Sequence, residues 1–205
     1  RRDLDAFTDG TFDLLILGGG ITGAGAALDA ASRGWRVALI DKGDFASGTS
    51  SLSSKLIHGG LRYLEYGRFT LVHEALVERG RLLRNAPHLV QPLPFILPFY
   101  RGQRLAPWQY RLGLTLYDLL AGRDNIARSR RLTCRQIRVA LPGVNSDNLL
   151  GGALYFDALM DDARLCLAVL QTAARQGAVL ANYVEAVDFE KHAGSIVGVW
   201  AQDRL

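Results

Sequence analysis

The sequence predicts an α/β fold built on a parallel sheet with helices on both faces, and three observations carry that prediction. An apolar run, Asp13-Leu-Leu-Ile-Leu17, ends in the glycine turn Gly18-Gly-Gly20-Ile21-Thr22-Gly23. A stretch of small residues follows, and a second apolar run ends in an acid, Asp41. Strand, turn, helix, strand and acid therefore occur in order. Such a turn offers backbone N–H groups and the positive end of a helix dipole to an anion such as a pyrophosphate. Gly18 permits the tight turn, Gly20 lets a phosphate approach the backbone, and Gly23 lets the helix pack close to the strand. Three glycines at this spacing also occur as a plain structural turn. The surrounding elements are what point to a dinucleotide.

The helix after the turn carries Ala24, Gly25, Ala26, Ala27, Ala30 and Ala31, a surface suited to close packing, and ends at Arg33-Gly34. Arg36 to Asp41 reads as a buried parallel strand. At its end Asp41, with Lys42 beside it, can accept hydrogen bonds from both hydroxyls of an adenosine ribose and would repel a 2′-phosphate. Without the glycines, Asp41 would read as a solvated strand end. Residues 43–60 form a long loop rich in small and hydroxyl side chains, and loops of this length are commonly functional. The hydroxyls and N–H groups of Thr49, Ser50, Ser53 and Ser54 can hold phosphate or ribose oxygens without adding charge. Gly59-Gly60 lets a flat ring lie against the backbone. Lys55 can pair with a phosphate or an anionic ring, and His58 can hydrogen-bond beside it. Spacing alone equally allows a surface lysine and a loop histidine. Arg62 presents a fork suited to a phosphate, or a surface charge, and Tyr63 a hydroxyl or a pocket wall.

Residues 69–85 read as a helix with Leu71, Val72, Ala75, Leu76, Leu82 and Leu83 on its apolar stripe, and Arg79, Arg81 and Arg84 exposed. Five of the six prolines lie between Pro87 and Pro107. They bound a short edge strand at Pro94–Tyr100, and Pro107 opens a helix running to about Ala121. Trp108, Leu112, Leu116, Leu119 and Leu120 repeat along that helix. They suit core packing or, with the neighbouring arginines, a membrane surface. After Gly151-Gly152 come the apolar run Ala153 to Asp157 and a helix from about Asp161 to Gln176, closed by Gly177. One or two strands follow over Val179–Asp188, then a hairpin turning at His192-Ala-Gly194 into Ser195–Trp200.

With 205 residues, 49% hydrophobic, the chain can bury a substantial core. Its net charge is +4, yet Arg101 to Arg138 holds nine arginines against Asp118 and Asp124, which leaves the rest of the chain negative. That basic block can face an anionic substrate, an acidic lipid surface or solvent. No nucleic-acid motif accompanies it, so nucleic acid is not an expected partner. Cys134 and Cys166 have no metal or disulfide spacing, which fits a reducing compartment, and no metal ligand set is expected. No apolar run approaches the ~20 residues that span a bilayer, and Arg1-Arg-Asp-Leu-Asp5 lacks the apolar core of a signal peptide. Acyl hydrolysis has no Gly-x-Ser-x-Gly elbow to support it, and triphosphate hydrolysis no Walker lysine. The first residue is not Met and the last lies just past a strand pattern, so a piece of a longer protein is expected.

Two segments carry a resemblance to a known family: Gly18-Gly-Gly-Ile-Thr-Gly-Ala-Gly25 and, far more specific, Thr49-Ser-Ser-Leu-Ser-Ser-Lys-Leu56-Ile-His-Gly-Gly-Leu-Arg-Tyr-Leu-Glu65. Arg111 to Leu120 and Tyr155 to Leu165 extend it. The chain resembles the N-terminal region of FAD-dependent, quinone-linked glycerol-3-phosphate dehydrogenases. The resemblance implies a Rossmann-like FAD-binding domain interleaved with part of a β-sheet substrate domain. The expected division is 1–86 and 151–205 for the flavin domain, and 87–150 for a substrate or cap segment with the basic helix. It implies FAD as cofactor, held at its ADP end by Gly18 to Gly23, Asp41 and Lys42. Thr49 to Gly60, Leu56 among them, would approach the pyrophosphate and the flavin ring. Arg62 and Tyr63 would meet a small phosphorylated polyol, and the helix begun by Met160 to Arg164 would pack near the cofactor. The implied reaction oxidises sn-glycerol 3-phosphate to dihydroxyacetone phosphate and passes electrons to a quinone. An oxygen-using oxidase and a non-catalytic nucleotide-binding module are the alternatives. Cytoplasmic placement, peripheral contact with the inner face of the membrane and a homodimer complete the expectations. Members of that family continue well past this length, with the general base in the later part, so no catalytic residue is assigned within residues 1–205.

Overall fold

The computed structural model describes residues 4–8 and 10–205, which divide into two compact units: the chain up to Ser54 together with Asp161–Leu205, and Lys55–Met160. The division expected at 86/87 and at 150/151 falls inside the second unit.

The first unit opens with a helical turn, α1 (Asp5–Thr8), followed by β1 (Leu14–Leu17), α2 (Ile21–Ser32) and β2 (Val37–Ile40). Its later part comprises α6 (Asp162–Arg175), β7 (Val179–Ala181), β8 (Val184–His192) and β9 (Ser195–Asp203). Strands β1, β2 and β7 form a parallel sheet in the order β1-β2-β7, with Leu14 opposite Val37 and Ala38 opposite Val179. Side chains alternate across a strand, so Ile16, Val37 and Leu39 face one side and Leu15 and Ile40 the other. The first face is packed by α2 and α6: Ala24, Ala27, Ala30 and Ala31 of α2 meet Cys166, Leu170 and Ala173 of α6. Small side chains on α2 are what allow both helices to lie on so narrow a sheet. The opposite face carries Phe7 of α1 and Ala186 of β8. Strands β8 and β9 pair antiparallel through a turn with Ala193 and Gly194 both at positive φ, the mirror-image turn that suits a hairpin.

The second unit contains β3 (Leu56–Ile57), a 3-10 turn (Leu61–Tyr66), α3 (Phe69–Asn85), β4 (Val90–Tyr100) and α4 (Pro107–Ala121). It closes with β5 (Arg130–Leu132), α5 (Cys134–Ala140) and β6 (Leu149–Met160). β6 is the spine of an antiparallel sheet, pairing with β3, β4 and β5. Helices α3 and α4 share a core of Val72, Leu76, Tyr117 and Ala121. Pro107 stands at the start of α4, and the Gln109 side chain accepts the Ala106 N–H at 2.7 Å.

Several expectations need correction. Arg79, expected exposed, is fully buried, while Leu71, placed on the apolar stripe, is 47% exposed. Helical period alone cannot tell an arginine that meets a buried carboxylate from one in water. On α4 the buried face is Leu114, Tyr117 and Ala121, so Trp108, Leu112 and Leu119 do not serve the core and stand in solvent. The edge strand is longer than its proline bounds: β4 takes in Pro92, Pro94 and Pro98, and among the described residues it pairs with β6 alone. Prolines lack the N–H that a second partner would need. Strand β5, helix α5 and the two-residue strand β3 were not foreseen.

At the head of the first sheet, Asp13 takes the Arg36 guanidinium at 2.8 Å and its backbone N–H at 2.9 Å. Hydrogen bonds from Arg36 hold the Asp13 carboxyl down at about 2, from 3.8. A depressed carboxyl stabilises the fold above its unfolded pKa and stops doing so as pH falls through the folded value. Asp13→Asn should therefore lower the urea midpoint at pH 6. The gap from the parent should close as pH drops from about 4 toward 2, as equilibrium unfolding at stepped pH will show.

Candidate functional site

The glycine turn is shaped by contacts that leave little choice of residue. Gly18 takes a φ of +117°, and a Cβ on Gly23 would lie 2.0 Å from the Gly18 carbonyl oxygen. A Cβ on Gly19 would strike the Phe45 ring at 2.4 Å. Gly20 differs: a Cβ there would meet only Ser50 Oγ, at 3.4 Å. Its side of the turn is open, as the approach of a phosphate requires. Gly20 caps α2, and the first bond within the helix runs from the Ala24 N–H to the Gly20 carbonyl at 2.9 Å. Helix geometry leaves the N–H groups of Thr22 and Gly23 without an intrahelical acceptor, while the Ile21 N–H donates to Ser50 Oγ at 3.0 Å.

Asp41 follows β2 and faces this turn. One carboxylate oxygen accepts the Gly19 N–H at 2.6 Å and the other the Gly43 N–H at 2.8 Å. A carboxylate has about four acceptor positions, so a ribose can still bond to the remaining ones. Lys42, Thr49 and Ser54 are exposed around the same unit. Ser53 donates to the carboxylate of Asp162, which is buried at the start of α6. The Cys166 thiol lies 3.5 Å from the Gly19 carbonyl, and burial, with the Asp41 charge, pushes its pKa up. It is a packing group beneath the turn. An apolar cavity of about 670 Å³ in this unit, lined by Leu15, Ile40, Val184 and Val199 among others, shares no residue with the turn.

The other expected site residues belong to the second unit. Lys55 is exposed at a φ of +58°, and its carbonyl accepts the Met160 N–H at 2.9 Å. Leu56 pairs with Leu159, and His58 is exposed. Gly60 adopts a φ of +71°, and a Cβ on it would press into the Tyr63 ring at 2.4 Å. Arg62 is exposed and Tyr63 is 47% exposed. Gly59 is held differently. Its N–H donates to the Tyr117 hydroxyl at 2.7 Å, which donates to Asp157 at 2.8 Å, and Arg79 reaches the same Asp157 oxygen at 2.6 Å. Burial, and then the Asp157 charge, drives the Tyr117 phenol well above its usual range and holds Tyr155 up at about 12. Sequence reading missed Tyr117, Arg79, Asp157 and Asp162. A carboxylate inside the apolar run of β6 was the available signal, because a buried charge needs a partner.

Residues 13–204 match the family model described as FAD dependent oxidoreductase. The chain belongs to that family. Over its whole length it is 43% identical to the glycerol-3-phosphate dehydrogenase of Synechocystis sp., of which it covers 37%. Over 88% of its length it is 46% identical to the mitochondrial glycerol-3-phosphate dehydrogenase of Homo sapiens, of which it covers 25%. Among solved structures, glycerol-3-phosphate dehydrogenase from Bacillus halodurans complexed with FAD superposes with a TM-score of 0.73 at 34% identity, over 97% of this chain and 32% of that one. L-α-glycerophosphate oxidase from Mycoplasma pneumoniae, at 17% identity and a TM-score of 0.70, shares the fold. The chain thus spans a quarter to just over a third of the curated relatives it matches.

Gly23→Ala should destabilise the first unit by about 1–3 kcal/mol, as forced overpacking does, because a backbone oxygen cannot move aside as a side chain end can. Thermal unfolding of the two proteins measures it. A parent-like midpoint would mean that the turn relaxes freely.

Proposed function

We propose that the chain is the FAD-binding portion of an enzyme that oxidises sn-glycerol 3-phosphate to dihydroxyacetone phosphate and passes the electrons to a quinone. The observation that carries this is the glycine turn bonded directly to Asp41, in a chain 43% identical along its whole length to a glycerol-3-phosphate dehydrogenase. The open side of Gly20 and the donors of the first turn of α2 fit a pyrophosphate. Ile21 and Thr22 border it, and Asp41 with Lys42 fits the adenosine ribose. Ser50, already bonded to the Ile21 N–H, and Thr49, Ser53 and Ser54 extend the donor set. Lys55, Leu56, His58, Gly59 and Gly60 are assigned to the flavin side.

Bound FAD supplies a hydride acceptor. The residues of this chain bind and orient. Arg62 offers two parallel N–H bonds to the substrate phosphate, and Tyr63 flanks it. Visible absorption of the purified protein with added FAD tests the assignment: flavin bands that survive desalting are expected. Gly20→Val should abolish that retention, since the added side chain fills the phosphate approach. Flavin held by this variant would remove the turn from the site. In the full-length enzyme Arg62→Lys should raise KM for glycerol 3-phosphate roughly tenfold, a lysine being a single point charge, with FAD content unchanged. Parent-like kinetics would exclude Arg62.

The exposed apolar residues of α4 support a contact with the inner face of a membrane, where a quinone resides. Trp108 is 64% exposed, Leu112 62% and Leu119 71%, with Arg111 among them. An interfacial helix combines such an apolar stripe with basic neighbours. Cosedimentation with anionic vesicles should be strong at low salt and weaken as salt rises. Binding indifferent to salt, or none, would rule the contact out.

A further inference from the structure

The buried Arg79–Asp157–Tyr117 chain is more than the core of the second unit requires. Arg79 is fully buried, and its two terminal nitrogens reach the Phe156 carbonyl at 2.8 Å, Asp157 at 2.6 Å and the Asp124 carbonyl at 3.5 Å. Its Nε has no hydrogen-bond partner among the described residues. Burying such a pair carries a large desolvation cost, and apolar side chains of equal volume often serve stability as well or better. The arrangement therefore calls for an account in what it holds.

Besides the Phe156 and Asp124 carbonyls at the Arg79 end, it holds one backbone N–H at the Tyr117 end. The Tyr117 hydroxyl accepts the Gly59 N–H at 2.7 Å, and Asp157 lies 3.4 Å from the same nitrogen. The Tyr117 oxygen accepts from Gly59 through a lone pair while its proton goes to Asp157, and the Arg79 guanidinium reaches the same Asp157 oxygen at 2.6 Å. Gly59 is the single residue that fits. A Cβ on it would sit 2.4 Å from Leu76 and 2.6 Å from the Tyr117 oxygen. Gly60, next in the chain, carries its positive φ, and Arg62 follows two residues later.

We propose that Arg79, Asp157 and Tyr117 are positioning residues for the flavin-facing backbone: they turn the Gly59 N–H into the protein and so fix Gly60 and Arg62 against cofactor and substrate. This rests on the assignment of Gly59-Gly60 to the flavin. Loss of the Tyr117 hydroxyl loosens that backbone while leaving the ring packing in place, so its effect falls on reaction geometry more than on binding.

The test compares Tyr117→Phe with Tyr155→Phe in the full-length, FAD-loaded protein. Tyr155 is a neighbouring half-buried phenol, with its ring edge-on to Tyr117 at 6.2 Å, and it makes no bond to Gly59. Tyr117→Phe should keep FAD and stay folded, lower kcat with a dye acceptor by about tenfold, as small misplacements of reacting groups do, and leave KM within twofold. Its flavin bands should shift, whereas Tyr155→Phe should match the parent in all five readings. Parent-like kcat and bands in Tyr117→Phe, with flavin bound in both proteins, would overturn the positioning role and leave the flavin assignment standing. Loss of fold in that variant would show the hydroxyl to be structural and also overturn it. A parent protein that takes up no FAD would overturn both.

Discussion

Asp41 is where the first unit is tied together. Its carboxylate bridges the N–H groups of Gly19 and Gly43, so the glycine turn and the start of the serine-rich loop hang from the end of a single strand. Its backbone does the same for the sheet: the Asp41 N–H bonds to Ala181 and its carbonyl accepts the Val184 N–H at 2.8 Å. A charged acceptor with two N–H donors is among the stronger hydrogen-bonding arrangements available to a protein. The residue best placed to meet a ribose is thus also the one that fixes the turn meant to meet the pyrophosphate. In the proposed reading, cofactor recognition and local folding share one side chain.

The second unit solves a related problem with opposite means. There the anchored group is also a glycine N–H, but its acceptor is a neutral phenol backed by a buried ion pair. Asp41 keeps part of its surface in reach of water; Asp157 is 3% exposed and is paired with Arg79 at 2.6 Å. A partly solvated carboxylate retains capacity for a ligand, whereas a buried one is closed off from it. The first arrangement suits a group that must both hold and bind, the second one that must only hold.

Much of this was legible in the sequence. The strand, turn, helix and strand from Leu14 to Ile40 follow from apolar runs broken by glycines, and α3 and α4 from helical period and Pro107. What escaped was whatever depends on distant partners. Arg79 reads as one more exposed helix arginine until β6 brings Asp157 to it, and their separation in the chain leaves no local trace. Trp108, Leu112 and Leu119 keep helical spacing, yet the face that is buried runs through Leu114, Tyr117 and Ala121, because both stripes are apolar and only packing against α3 and against Phe99 and Ala153 of the sheet selects between them. Helix α5 was legible in principle. Thr133 and Gln136 form a reciprocal cap, with the Thr133 N–H on Gln136 Oε1 at 2.9 Å, and that spacing is a known helix start. Its seven residues were too few to show a period.

The interleaving of the two units has a physical basis in how the crossings are fastened. The chain leaves the first unit after Ser54 and returns at Asp161. On the first unit's side, Ser53 is bonded to Asp162; on the second unit's side, the Lys55 carbonyl accepts the Met160 N–H. Each unit therefore closes its own ends, and an insertion whose ends lie close together disturbs its host least. The clasp at Ser53 also explains a carboxylate that is otherwise hard to place. Asp162 is buried with one oxygen unpartnered among the described residues, a costly state that the α2–α6 core alone does not demand. Its other oxygen holds the end of the serine-rich loop. The loop whose hydroxyls suit phosphate oxygens is thereby pinned at Ser50 to the glycine turn and at Ser53 to α6.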